Sequence, residues 1–203
     1  MSFMVLFMYV LLISVFIFDI FLCIKFFEYV YCVNFRRQPP LVASPDCLRQ
    51  NVVEQIVAYY NDSKNICEIG SGFGGLARVI AGQTKANVYA LENMPFSAFV
   101  SKISDLLSGC KNNHTVWCDA FEYLDKTNKK FDVAIAYLGP TLTSRIQQYK
   151  NKVRVLISLD FEIKGLEPVR VVDMSKYGCV IYNKIKYPHK LFIYDFTDAQ
   201  TRG

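Results

Sequence analysis

Three acids and a run of glycines could do chemistry in this chain. Glu68 stands two residues ahead of Gly70-Ser71-Gly72-Phe73-Gly74-Gly75. Glu92 ends the next apolar run, and Asp119 follows the one after it, in Trp117-Cys118-Asp119-Ala120-Phe121. Glycines that close a short apolar strand and open a helix expose backbone that side chains would otherwise cover, so a nucleotide-like ligand can approach it. A carboxylate at Glu92 is placed to take both hydroxyls of a ribose, and one at Asp119 the amino hydrogens of an adenine.

Gly70-x-Gly72-x-x-Gly75 also satisfies the dinucleotide fingerprint, so the acids must decide between ligands. Glu68 can accept a hydrogen bond from an ammonium group or organise the turn, at a point where dinucleotide loops carry an apolar residue. Glu92 serves either ligand. Asp119 falls in register with the other two, although by itself it reads equally as a helix cap. Together the acids favour S-adenosylmethionine (SAM) over NAD. The expected cofactor-binding residues are Glu68, Gly70, Ser71, Gly72, Glu92, Asn93, Asp119 and Ala120.

Two more side chains stand where chemistry gathers in open α/β sheets, at the carboxyl ends of strands. Tyr137 ends the fourth expected strand and Asp160 the fifth. Tyr137 is placed to orient an incoming amine or face a sulfonium, and Asp160 to hold a substrate ammonium or accept its proton. Each also has a plain structural reading, as a packed aromatic and as a turn acid.

The elements that must position these residues follow from periodicity. Ser44-Pro45 starts a helix that carries Leu48, Val52, Val53, Ile56 and Val57. Strands are then expected at 66–69, 88–91, 115–118, 131–138 and 153–159. Helices are expected around 76–81, 96–107, 120–124 and 141–149. This alternation predicts a mostly parallel sheet covered on both faces. Residues 179–186 and 191–196, separated by Tyr187-Pro188-His189-Lys190, read as an antiparallel hairpin. The expected fold is therefore α/β, a Rossmann-like class I methyltransferase fold. Its sheet is seven-stranded and mostly parallel, ends in a C-terminal antiparallel hairpin, and is preceded by one N-terminal transmembrane helix.

That helix is read from Phe3–Ile24, nearly unbroken apolar sequence in a chain of 203 residues whose mean hydropathy is +0.19. About 20 such residues cross a bilayer core. A cleaved signal peptide would need a basic segment before the run and a small-residue site after it, and neither is present. Lys25, Arg36 and Arg37 follow the run and no basic residue precedes it, which places the rest of the chain on the cytoplasmic side, or its equivalent in an organelle. The expected division is a transmembrane anchor at 1–25, a juxtamembrane segment at 26–43 and a catalytic domain at 44–203.

The net charge of +5 comes with no dense basic patch interleaved with aromatics, so no nucleic-acid partner is expected. Seven cysteines without a CxxC pair read as small apolar residues in a reducing compartment. His114 and His189 are the only histidines and lack ligand spacing to a cysteine pair, so no metal is expected.

With these residues in view, the chain resembles the membrane-anchored class I protein-lysine methyltransferases, the family that includes the mitochondrial ATP synthase c-subunit lysine methyltransferase and its bacterial relatives. The likeness spans about Pro39 to Asp173. It rests on the anchor leading into Val42-Ala43-Ser44-Pro45, on Glu68-Ile69-Gly70-Ser71-Gly72, on Leu91-Glu92-Asn93, and on 155–161 with the following Gly165-Leu166-Glu167-Pro168. Phe73, Gly75 and Leu159 depart from the family's pattern. The resemblance implies SAM-dependent methylation of a protein lysine amine, with a membrane protein as the expected substrate. A small-molecule or lipid methyltransferase, a non-catalytic membrane-tethered scaffold and an NAD-dependent oxidoreductase are the alternatives.

Overall fold

The computed structural model describes residues 3–31, 44, 46–174 and 189–197. Several expectations lie outside these residues: the juxtamembrane segment from 32 to 43 with Arg36 and Arg37, Pro45 at the helix start, and the first hairpin strand at 179–186 with its turn at Tyr187-Pro188. The chain divides into two compact units, Met1–Leu41 and Val42–Gly203.

The first unit is helix α1 (Phe3–Tyr31). It is apolar on every face, so no stripe marks a side for packing in water. Its segment Phe3–Phe27, with mean hydropathy 2.7, is long and apolar enough to cross a membrane. Ser14 satisfies its hydroxyl within the helix by donating to the Val10 carbonyl at 2.8 Å.

The second unit begins with α2 (Asp46–Tyr59) and continues as β1 (Asn65–Ile69), α3 (Gly75–Gln83), β2 (Asn87–Glu92), α4 (Pro95–Ser108), β3 (Asn113–Trp117), α5 (Ala120–Lys126), β4 (Phe131–Ala136), α6 (Pro140–Arg145), β5 (Val153–Leu159), β6 (Arg170–Asp173) and β7 (Lys190–Asp195). The seven strands form one sheet of order β3-β2-β1-β4-β5-β7-β6. The first five run parallel, and β7 runs antiparallel to both β5 and β6. The chain order reverses between β1 and β4, which opens a crevice at their carboxyl ends.

Central strands buried on both faces need apolar residues at nearly every position. β4 and β5 meet that need, with Val133, Ala134, Ile135, Val155, Leu156 and Ile157 all fully buried. One core layer joins α2 and α3 to the sheet through Leu48, Val52, Ile56, Leu76 and Ile80, and the other joins α5 through Phe121 and Leu124. Val57, one position past buried Ile56, turns outward and is half exposed.

The expected single helix at 141–149 is two pieces. α6 ends at Arg145, and a 3-10 turn covers Ile146–Tyr149. The tighter turn brings residues three apart onto one side, and both Ile146 and Tyr149 are buried. The antiparallel pair at the end of the sheet is present, but its described first member is Arg170–Asp173. This short edge strand alternates between half-buried and exposed residues and gives little hydrophobic signal.

Candidate active site

The glycine loop is built by backbone that only glycine adopts readily. Gly70, Gly72 and Gly74 have φ values of 74°, 57° and 69°, all left-handed. The loop is tied to the end of β2 by the Gly70 and Ser71 amides, which donate to the Leu91 carbonyl at 2.9 and 3.1 Å. A Cβ on Gly70 would lie 2.8 Å from Leu138 Cδ2, so the loop runs directly against the residues that leave β4.

Both acids of the loop are buried. Glu68 Oε2 accepts the Ala77 amide in the first turn of α3 at 2.9 Å. That bond ties the end of β1 to the first turn of α3. Burial pushes the Glu68 carboxyl up to about 8, and the nearby Glu92 charge adds to the rise while the Ala77 amide opposes it. Glu92 bridges two segments: Oε2 accepts from the Gly72 amide at 2.6 Å and Oε1 from the Met94 amide at 2.7 Å. Removing this side chain would also strip two loop amides of their acceptor, so cofactor affinity and loop geometry are coupled at Glu92.

Asp119 caps α5, its Oδ1 accepting from the Phe121 and Glu122 amides at 2.9 and 3.1 Å. Ala120 follows as the first residue of α5. Asn93 contributes its carbonyl to the Trp117 indole N–H at 3.1 Å. Trp117, Cys118, Asp119, Glu122 and Tyr123 line an open groove of about 450 Å³ beside the carboxyl end of β3. Burial, and then the neighbouring Asp119, push the Cys118 thiol up to about 11, so it is not a thiolate near neutrality.

The residues present suit a SAM-sized ligand on three counts. The loop turns through three left-handed glycines, which hold it close against the ends of β2 and β4. The buried Ser71 hydroxyl has no hydrogen-bond partner among the described residues. Glu92 and the groove at Asp119 follow β2 and β3, in the order a nucleoside lying across those strand ends requires.

Tyr137 and Asp160 are brought together. Ala136 pairs with Ile69 and with Ser158 in register, so the segments after β1, β4 and β5 leave the sheet side by side. The Tyr137 hydroxyl is held well above its ordinary range by burial and by the Asp160 carboxylate, its hydrogen-bonding neighbour. Asp160 has φ 64°, the one described non-glycine residue in the left-handed region. Such strain persists where surrounding contacts over-determine it. Those contacts are a backbone bond from the Asp160 amide to the Lys190 carbonyl at 2.8 Å, the Lys190 amide on Oδ1 at 3.0 Å, and His189 Nδ1 on Oδ2 at 2.6 Å.

His189 is the residue that sequence reasoning missed. Its ring is fully buried and its Nε2 has no partner among the described residues. The sequence placed it in a hairpin turn, where a polar residue is unremarked. Only the antiparallel pairing of β5 with β7 carries it to Asp160. Arg49 and Arg78 were missed as well. A Cβ on Gly75 would lie 3.0 Å from Arg49 Cζ, so that glycine makes room for a guanidinium. Arg78 donates to the Phe73 carbonyl at 2.7 Å and pairs with Asp105 at 3.2 Å. Among the described residues there is no cluster of three or more metal-ligating side chains.

Solved structures share this architecture. An RNA methyltransferase from Salinibacter ruber, in complex with S-adenosyl-L-homocysteine, superposes with a TM-score of 0.59 at 16% identity, over 76% of this chain and 94% of that one. A magnesium protoporphyrin IX methyltransferase from Synechocystis with bound SAM gives 0.54 at 15% identity, over 83% and 95%. A precorrin-6y C5,15-methyltransferase from Geobacter metallireducens gives 0.56 at 13% identity, over 77% and 91%. No family model matches the chain, and no curated protein matches it significantly. The second unit thus has the fold of the class I SAM-dependent methyltransferases.

Proposed function

We propose that this chain is a membrane-anchored SAM-dependent methyltransferase that acts on a protein lysine amine. The observation that carries the reading is the loop from Glu68 to Gly75, bound through its Gly72 amide to Glu92 at the carboxyl edge of the sheet. The solved methyltransferases of the same fold, two of them holding SAM or its product, support the choice of cofactor.

Glu92, Asp119 and the loop residues Gly70, Ser71 and Gly72 would hold the cofactor, with Asn93 and Ala120 beside them and Glu68 near its ammonium end. Bound there, SAM would supply an electrophilic methyl carbon for in-line attack by a nucleophile, with S-adenosylhomocysteine as the leaving group. The protein's own task is to deliver an uncharged amine in line and dry. Asp160 is placed to hold the incoming ammonium and to accept its proton, which leaves the amine uncharged for attack. Tyr137, with its hydroxyl kept protonated by burial and by Asp160, is a donor and an orienting group, not a base. His189 fixes the direction of the Asp160 carboxylate. A lysine fits this arrangement because its amine reaches into a crevice on a long thin stem.

Membrane residence is supported by α1 and by the basic residues that follow it in sequence, which favour the cytoplasmic side or its organelle equivalent. The deciding experiment is calorimetric titration of S-adenosylhomocysteine and, separately, NAD into the full chain in detergent micelles. Saturable binding of the former alone is the expected result. Binding of NAD, or of neither by a cooperatively folded chain, would overturn the reading. Tritiated SAM with membrane extracts would then identify the acceptor, and label on lipid instead of protein would overturn the lysine assignment.

A further inference from the structure

Helix α4 is amphipathic in the inverted sense. Its inward residues are small or polar: Ser97, Ala98 and Ser101 are fully buried. Ser101 exchanges a hydrogen bond with Thr115 of β3 at 2.8 Å. Asp105 accepts from Thr115 at 2.6 Å and Asn113 at 2.8 Å, and pairs with Arg78 of α3. Four large apolar residues point away, while Phe96 and Val100 are half-buried. Phe99 is 59% exposed, Ile103 41%, Leu106 82% and Leu107 84%. The spacing i, i+4, i+7, i+8 puts all four on one face.

The edge strand extends this surface. Asn113 and Thr115 face α4, and alternation along β3 puts Trp117 on the same side of the sheet. Trp117 is 62% exposed, with its indole N–H turned to the Asn93 carbonyl. A contiguous face of this kind is not expected on a freely soluble domain.

Along α4 and β3 the exposed charges are basic, whereas Asp119 and Glu122 share a groove with Trp117 beyond the end of the strand. Between Asn93 and Trp117 the ionisable residues are Lys102, Asp105, Lys111 and His114, with Cys110. The single acid, Asp105, is turned inward and paired with Arg78, whereas Lys102 and Lys111 are exposed. An apolar helix face with tryptophan at its edge and lysines beside it matches the interface of an anionic bilayer, where such helices lie with their apolar side in the headgroup boundary.

We infer that the α4 face, Phe99, Ile103, Leu106 and Leu107 with Trp117 and Lys102, is a second membrane contact that lays the catalytic unit on an anionic lipid surface. This rests on the membrane residence proposed above and adds to it a site outside α1. Because α4 starts three residues after Glu92, the docked surface begins at the edge of the sheet that carries the cofactor loop.

The test uses the full chain reconstituted in vesicles of phosphatidylcholine with phosphatidylserine, with and without brominated acyl chains. In a Trp117→Phe background, Leu106→Trp provides one reporter, and Val169→Trp provides a control on an exposed residue before β6, at the other edge of the sheet. The expected result is a blue shift and strong loss of emission at position 106 with brominated lipid and little loss at 169. Omitting phosphatidylserine, or adding Lys102→Glu, should reduce the loss at 106. Equal quenching at the two positions overturns the inference. So does a blue-shifted, unquenched reporter at 106 that sharpens with protein concentration, which would assign the face to a second copy of the chain. Failure of the chain to float with vesicles would overturn the anchor as well, and is seen separately from quenching.

Discussion

Replacing Glu68 with glutamine isolates one buried proton. The amide keeps an oxygen to accept the Ala77 N–H and nearly the same volume, but it cannot ionise. In the folded chain the carboxyl titrates at about 8 against an ordinary 4.5, chiefly because burial disfavours its charge. The folded state therefore holds the proton more tightly than the unfolded state between those two values, so stability falls as pH rises through that window. The contribution is fully present below about 4.5 and fully lost above about 8. At about 1.4 kcal/mol per unit, the wild-type chain forfeits on the order of 5 kcal/mol that Glu68→Gln keeps. The difference in unfolding free energy between variant and wild type should then climb steadily from pH 5 to pH 8 and level off beyond. Urea unfolding of both chains in micelles, followed by Trp117 emission and tyrosine circular dichroism, measures it. Parallel pH profiles for the two proteins would refute the reasoning, because they would mean that Glu68 titrates alike in both states.

The same carboxyl should respond to a cationic ligand. S-adenosylhomocysteine carries an ammonium, so its binding near pH 7 should release a proton, seen as a dependence of calorimetric heat on the buffer's ionisation enthalpy. Gly74→Ala should destabilise the chain by at least about 1–3 kcal/mol, from left-handed strain alone, because its Cβ would also meet Ser101 Oγ at 2.2 Å. Gly82→Ala, in α3 with open space around it, should instead stabilise by about 0.5–1 kcal/mol; thermal unfolding separates the two. His189→Ala should cost about 1–3 kcal/mol of stability by leaving the buried side of Asp160 unpartnered. It should also lower methyl transfer through kcat with little change in cofactor affinity, and His189→Asn should recover part of both.

What the sequence made legible was local. Glycines needed for left-handed backbone, acids at strand ends and the shift from period 3.6 to period 2 are written in consecutive residues. They placed β1 to β5 within a residue or two and put Glu68, Glu92 and Asp119 on one edge. The pairing that brings His189 to Asp160 joins positions 29 apart through an antiparallel strand, and nothing within either segment announces it. β6 was missed for a related reason: four residues that alternate at a sheet edge bury too little to leave a pattern. Asp119 shows the opposite difficulty, because the same carboxylate that caps α5 stands where an adenine ligand is expected, and one residue type serves both.

The polar seam beneath α4 has an energetic consequence. Ser97, Ala98 and Ser101 remove little apolar area from water, which leaves half-buried Phe96 and Val100 and the directional bonds to Asn113, Thr115 and Arg78 to hold the helix. Releasing such an element exposes less new apolar surface than unfolding the core strands does, which makes the opening less sensitive to denaturant than global unfolding. Native-state hydrogen exchange should then find the α4 amides detaching as a small cooperative unit, well below the free energy that unfolds β4 and β5. The helix next to the cofactor loop would then open more readily than the central strands, and a surface it could settle on would add to the burial that its own inner face supplies.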